Sequence, residues 1–270
     1  MNKFENKVAL ISGGSRGVGY AIANRLVDAG AKVVISARGA KRLEDSAARL
    51  RQKGGKVVAV TGDIGKWEDA KRMVNAAIDE FGRLDILVNN AGVSMRGDFA
   101  DLSGEVCSRV IATNLTGSVN LSRIAMEHLI EARGSLVFIS SIAGLFGLPG
   151  ASVYCASKMA LTGLCESLRL ELIPKGVHVG VVYLGFTEHD PEKRILSASG
   201  ELILPDRPAH HSQDKAGKLV VDLITKRKRQ VVMTPIGSLG WFAHRLSPLL
   251  VEKVVLWAKE SQIGLFKSFR

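Results

Sequence analysis

Apolar residues recur along the chain in short β-branched runs separated by longer stretches of helical spacing. The runs cover Val8 to Ser12, Val33 to Ser36, Val57 to Thr61, Ile86 to Val88, Leu136 to Ser140, Val177 to Tyr183 and Val231 to Thr234, and their length and composition predict seven strands. Between them the spacing predicts helices, among them Val18 to Ala29 closed by Gly30 and Glu68 to Phe81 closed by Gly82, with glycine where a helix should stop. Strand and helix alternate, so the sheet is expected to be parallel with crossover helices on both faces. Strands covered on both sides read as nearly continuous apolar runs, as Val8-Ala9-Leu10-Ile11 does. The expectation is an α/β fold in one domain, 1–270: a doubly wound, Rossmann-like parallel sheet of seven strands.

Two regions depart from this rhythm. Residues Phe186 to Gln213 contain Pro191, Pro205, Pro208 and a polar stretch from Ser197 to Gly200, which reads as a long insertion after the sixth strand and suits a substrate lid. From Gly237 to the C-terminus, Trp241, Phe242, Leu246, Leu249, Leu250, Val254, Val255 and Trp257 recur at helical spacing, with Pro248 dividing them. This predicts an amphipathic helical extension in two pieces.

Composition narrows the setting. Hydrophobic residues at 46% and charged residues at 23% leave no room for long disordered stretches. The first apolar run is broken at once by Gly13, Gly14 and Arg16, so no signal-peptide core forms, and no stretch approaches the roughly 20 apolar residues of a spanning helix. Cys107, Cys155 and Cys165 lack metal or redox spacing, and none of the six histidines is paired as in a helical metal site. Reduced thiols in a cytoplasmic chain without metal are therefore expected. The formal net charge of +11 admits an acidic partner, whether a cofactor phosphate, an anionic membrane or nucleic acid, without choosing among them.

The first strand runs into Ser12-Gly13-Gly14-Ser15-Arg16-Gly17-Val18-Gly19, where a helix begins. Glycines there permit a tight turn and close approach of backbone amides to a pyrophosphate, with the positive end of the helix facing the anion. An NAD site usually has a carboxylate at the end of the second strand, but this corner reads Ser36-Ala37-Arg38. Arg16 and Arg38 can instead converge on a 2′-phosphate, which favours NADP(H).

Tyr154-Cys155-Ala156-Ser157-Lys158 opens a helical pattern that ends near Pro174. The i, i+4 spacing sets phenol and ammonium on one face, where the cation can lower the tyrosine pKa from about 10. Ser141, expected in the loop after the fifth strand, can hydrogen-bond a substrate oxygen. With these three residues beside a phosphate loop, the sequence resembles the short-chain dehydrogenase/reductase family, through Gly13-x-x-x-Gly17-x-Gly19, Asn89-Asn90-Ala91-Gly92, Asn114, Ser141 and Tyr154-x-x-x-Lys158. The resemblance covers roughly residues 6 to 235.

It implies an NADP(H)-dependent oxidoreductase in which Tyr154 passes the proton, Ser141 orients the reacting oxygen and Lys158 also holds the nicotinamide ribose. Asn114 would position a proton-relay water near Lys158. Asp63 and Ile64 would lie near the adenine, and Asn90, Ala91 and Gly92 along the cofactor. One departure stands out: where the family has Pro-Gly followed by a threonine, this chain has Leu184-Gly185-Phe186-Thr187-Glu188-His189. Thr187 would still contact the nicotinamide.

Leu145, Phe146, Leu148, Val93, Met95 and Phe99 flank these motifs and could wall a pocket for a lipophilic ketone or alcohol, or equally be core or subunit contact. Lys226-Arg227-Lys228-Arg229 beside the aromatic tail could dock on an anionic bilayer; the tail could instead cover the cleft or a partner subunit. The rival function classes are a catalytically silent cofactor-binding scaffold or redox sensor and, last, a nucleic-acid binder. The resemblance also implies a homodimer or homotetramer through the helices that carry Asn114 and Tyr154.

Overall fold

The strand and helix alternation of the sequence is realised in the computed structural model, which describes residues 3–188, 190, 192–205 and 211–261. The strands are β1 (Val8–Ser12), β2 (Lys32–Ala37), β3 (Val57–Thr61), β4 (Ile86–Asn89), β5 (Ser135–Ser141), β6 (His178–Leu184), a small hairpin of β7 (Ile195–Leu196) and β8 (Leu202–Ile203), and β9 (Gln230–Val232). Seven pair in parallel in the order β3-β2-β1-β4-β5-β6-β9. The order reverses between β1 and β4, which opens a crevice at the carboxyl ends of those strands.

The two-residue side-chain period divides each central strand between two cores. Val8 and Leu10 of β1 face one side with Val34, Leu87, Leu136 and Phe138; Ala9 and Ile11 face the other with Val33, Ile35, Val88 and Val137. The first side is covered by α3 (Trp67–Phe81), α5 (Gly117–Glu131) and α6 (Ser152–Leu172), the second by α1 (Gly17–Asp28), α2 (Ala40–Gln52) and α7 (Gln213–Thr225). All five β1 residues are buried, and each large aliphatic side chain among them stabilises the fold by about 1.5–3 kcal/mol.

The structure corrects the expected boundaries in three places. Ser141 is the last residue of β5 and not part of the following loop. Thr234, expected in the last strand, instead caps α8 (Pro235–Leu246), its Oγ1 accepting from the Gly237 amide at 3.0 Å. The insertion after β6 contains the β7–β8 hairpin, which the sequence did not reveal; Leu196 N donates to Ser94 O (2.9 Å) and Arg96 N to Leu196 O (2.8 Å). His189, Pro191 and Pro208 lie outside the described residues. Pro248 opens α9 (Pro248–Glu260), so the described part of the tail, to Ser261, is divided at Pro248 and begins two residues before Gly237. No helix among the described residues is long and apolar enough to cross a membrane.

Candidate active site

The glycine loop between β1 and α1 is held on all sides. Gly13 and Gly17 have φ of 68° and 59°, the left-handed region that glycine enters without a Cβ penalty. A Cβ on Gly19 would lie 2.2 Å from Gly13 O and 2.5 Å from Asn90 Nδ2, so α1 can start against the loop only with hydrogen there. Asn90 Nδ2 donates to Ser12 O (2.8 Å) and Gly13 O (3.3 Å), Ser12 Oγ accepts from the amides of Asn90 and Ala91 (3.0 Å each), Gly14 N donates to Ser36 O (3.0 Å) and Ser46 Oγ to Ser15 O (2.8 Å). Asn90 therefore ties the loop to the end of β4.

At the end of β2 the cleft wall carries Arg16, Arg38 and Arg42. The buried Ser36 hydroxyl makes no hydrogen bond among the described residues. Burial holds the Arg16 guanidinium below its ordinary pKa, and the nearby Arg42, Arg194 and Arg38 lower it further, while Asp190 opposes them. Asp63 and Ile64 follow β3 on the same wall. Asp63 Oδ1 accepts from Gly65 N (2.9 Å), and Ile64 O accepts from Asn120 Nδ2 (3.1 Å), which fixes that turn.

Lys158 lies one helical turn after Tyr154 on α6, with Nζ 5.9 Å from the phenol ring centroid. Its ammonium is buried and donates to Ile139 O at 2.9 Å. Burial above all, with the charge of Lys193 second, pulls its pKa down to about 8. Ser141 Oγ accepts from Ala143 N at 3.2 Å and faces the cleft. Asn114 sits in a single π-helical turn, Ala112–Thr116, between α4 (Gly104–Ile111) and α5. Its Oδ1 accepts from Val93 N (2.8 Å), and its Nδ2 donates to Val93 O (3.0 Å) and Ser157 Oγ (2.9 Å).

These groups open on one cleft of about 690 Å³. It is lined by Gly13, Ser15, Arg16, Gly17, Val18 and Gly19 of the glycine loop, and by Asn90, Ala91, Gly92, Ser141, Tyr154, Lys158 and the buried Thr187. The donor set fits a dinucleotide and its phosphates: amides at a helix start, three guanidiniums and a buried hydroxyl without a partner among the described residues. The same cleft is also lined by Val93, Ser94, Ile195, Leu196 and Leu202, with Arg109, Lys193 and Arg194.

A family model described as short chain dehydrogenase matches residues 7–199. The chain belongs to the short-chain dehydrogenase family. This short-chain dehydrogenase is 36% identical over 188 residues to an uncharacterized oxidoreductase of Thermotoga maritima, covering 69% of this chain and 74% of that one. It is 38% identical over 192 residues to an 11-beta-hydroxysteroid dehydrogenase-like 2 of Arabidopsis thaliana, covering 69% of this chain and 62% of that one. Over 280 residues it is 30% identical to the uncharacterized oxidoreductase YxnA of Bacillus subtilis, covering 97% and 76%. Among solved structures, a short chain dehydrogenase/reductase from Burkholderia phymatum in complex with NAD superposes with a TM-score of 0.81 at 22% identity, over 93% of this chain and 96% of that one, a likeness of fold. A dehydrogenase/reductase from Sinorhizobium meliloti 1021 superposes at 0.74 with 28% identity, over 84% and 93%. Family membership makes the chain an oxidoreductase that works with a nicotinamide cofactor on small molecules.

The fold of this short-chain dehydrogenase brings every expected site residue onto the cleft except Asn114, which is buried behind Gly92. A methyl group on Gly92 would come within 3.2 Å of Asn114 Oδ1 and 3.4 Å of Lys158 Nζ. Asn114 thus braces the Val93 backbone against α6. Of the six apolar residues expected as pocket walls, only Val93 lines the cleft. Leu145 and Met95 are buried in packed clusters, Leu148 packs beside Ala151, Phe146 packs near His244, and Phe99 is exposed. Sequence reasoning missed Ser157, the Ile139 carbonyl and Arg42. The first two have no motif of their own, whereas Arg42, in the first turn of α2 just after Arg38, was legible.

Proposed function

We propose that this short-chain dehydrogenase uses NADP(H) to interconvert a ketone and its secondary alcohol, with Tyr154 as the proton-transfer group. One observation carries the reading: Ser141, Tyr154 and Lys158 open on the same groove as the glycine loop and the arginine corner, so binding and chemistry share one cleft. Arg16 and Arg38, joined by Arg42, would hold the 2′-phosphate, and no carboxylate stands at the end of β2 to favour a free ribose hydroxyl. When bound, the reduced nicotinamide supplies the hydride.

The chain's own residues then manage the oxygen. Ser141 donates a hydrogen bond to the carbonyl and orients it. As the carbon–oxygen π pair moves onto oxygen, Tyr154 gives up its phenolic proton to it and is left as phenolate. The buried Lys158 ammonium, anchored on Ile139 O, offsets that charge. Asn114 serves as a positioning residue, holding Val93 and Ser157 in place.

The β7–β8 hairpin, docked on Ser94 and Arg96, is proposed as the substrate lid. Ile195, Leu196 and Leu202 with Val93 supply an apolar wall suited to a lipophilic carbonyl. The hydroxysteroid names among the relatives point the same way. Subunit association through α5 and α6 is supported by exposed Val119 and Met159.

Replacement of Tyr154 by Phe tests the reading. Turnover of lipophilic ketones, followed by NADPH absorbance, should fall about 10²–10⁴-fold with NADPH affinity kept. Undiminished turnover would assign the proton to another group, and a biological role that survives the substitution would instead favour the silent scaffold.

The tail supports a second proposal, docking on an anionic membrane surface. Ile236, Leu239, Phe242 and Leu246 form the exposed face of α8, and Leu250, Val254 and Trp257 form a stripe on α9, all more than half exposed. Arg245, Lys253 and Lys259 flank these residues, and Lys267 and Arg270 follow in the sequence. Apolar side chains ringed by cations match an acidic headgroup layer.

A further inference from the structure

The segment after β6 carries Asp190 and Glu192 followed by Lys193 and Arg194, and all four line the cleft. Its acidic part lies on the arginine corner. The Asp190 carboxylate is 3.7 Å from Arg16 Nη1, the Glu192 carboxylate pairs with Arg42, and Glu192 O accepts from Arg16 Nη1 at 3.1 Å. Of its basic part, Lys193 reaches the other way, near enough to Lys158 to lower its pKa, whereas Arg194 stays near Arg16. Arg16 meanwhile feels the guanidiniums of Arg38, Arg42 and Arg194 and the carboxylate of Asp190.

Several cations gathered in one half-buried corner repel one another unless an anion joins them. In this conformation the anions are the side chains of the segment itself. They reach the corner from more than 140 residues away in the chain and join the two walls of the cleft. A phosphate monoester carries about −1.5 to −2 charges at neutral pH and seeks the same guanidinium forks. Phosphate and carboxylate cannot both occupy them without like-charge repulsion.

We propose that Glu192, assisted by Asp190, is a cofactor-specificity residue whose carboxylate competes with the 2′-phosphate of NADP(H) for Arg42 and Arg16. This rests on the reading of that corner as the 2′-phosphate site. Two consequences follow. An unphosphorylated dinucleotide leaves the Glu192–Arg42 pair in place, so discrimination against NAD(H) is weaker than three arginines alone would impose. Entry of the phosphate breaks the Asp190–Arg16 and Glu192–Arg42 pairs, which couples cofactor choice to the position of the adjoining Lys193 near Lys158.

Calorimetric titration of the full chain with adenosine 2′,5′-bisphosphate and with 5′-AMP, neither of which carries a nicotinamide, tests this without reference to turnover. Glu192→Gln and the Asp190→Asn/Glu192→Gln double variant should bind the bisphosphate about two- to fivefold tighter, the range open to partly exposed ion pairs, with 5′-AMP affinity unchanged. Glu192→Lys should tighten it at least as much, and the gain should shrink in high salt. The NADPH-over-NADH binding ratio should rise by the same factor. Unchanged or weaker bisphosphate binding in these variants overturns the proposal. Arg16→Ala and Arg38→Ala separate it from the reading beneath: if they leave bisphosphate binding intact, the phosphate corner itself is misassigned. If they weaken binding while the acid variants do nothing, only the role of Glu192 falls.

Discussion

Lys158 concentrates the conflict between stability and chemistry in one side chain. Its buried ammonium has a folded-state pKa of about 8 against 10.5 when free. A lysine depressed in this way destabilises the fold fully below about pH 8, where both states are protonated, and the penalty fades as pH rises toward 10.5. Relative to Lys158→Met, in which this titration is absent, the wild-type protein should therefore gain stability between pH 8 and 10.5, by at most about 3 kcal/mol. Urea denaturation of both proteins across that range checks the sign; a difference independent of pH would mean that the ammonium is not desolvated. The same burial pushes the Cys165 thiol up to about 11, which makes that residue a poor nucleophile at neutral pH.

At the level of elements, α6 and the tail contrast. α6 presents Tyr154 and Lys158 to the cleft and Leu161, Cys165 and Leu172 to the core, so two of its faces are employed, and Leu170 is its one large apolar side chain more than half exposed. α8 and α9 have caps from Thr234 and Ser247 but leave large apolar side chains in water, which soluble surfaces rarely do in one patch. Flotation with vesicles containing about 30% anionic lipid should carry the full chain, and a Leu239→Glu/Phe242→Glu/Trp257→Glu variant should stay behind with its NADPH binding intact. Equal flotation of both rejects membrane docking, and a drop in oligomer size on substitution would give the face to a second copy. The β7–β8 hairpin was not legible because each strand is only two residues long, too short for any period to register.

Across the whole molecule, stability and function occupy opposite ends of the sheet. The site lies at the carboxyl ends of the strands. At the amino end of β4, Asp85 is buried and accepts from Lys7 Nζ (2.9 Å), Val8 N (3.0 Å) and Arg83 (2.6 and 2.8 Å). Burial alone would raise its pKa, yet the bonds from Arg83, Lys7 and Val8 outweigh it and hold the carboxyl below its usual range. Its contribution is therefore present above about pH 4 and is lost as pH falls through the lowered folded value. Asp85→Ala should cost about 2 kcal/mol at neutral pH, discounted for the half-exposed cations, with NADPH affinity unaltered. A thermal melt paired with cofactor titration checks both halves, and a matching loss of affinity would show that the two ends are coupled.

Much of this protein was written locally. Continuous apolar runs, glycines at turns and the i, i+4 spacing of Tyr154 and Lys158 are short-range patterns, and they determined the parallel sheet, the glycine loop and the pairing of phenol and ammonium on one helix face. What lies far apart in sequence was decided only by folding. Asn114 reaches Val93 and Ser157, Lys158 reaches Ile139 O, and Glu192 reaches Arg42, because crossover connections carry distant segments to one end of the sheet. The pocket walls belong to the same class: the apolar pattern records that a residue seeks burial, but only packing decides which cavity or core receives it.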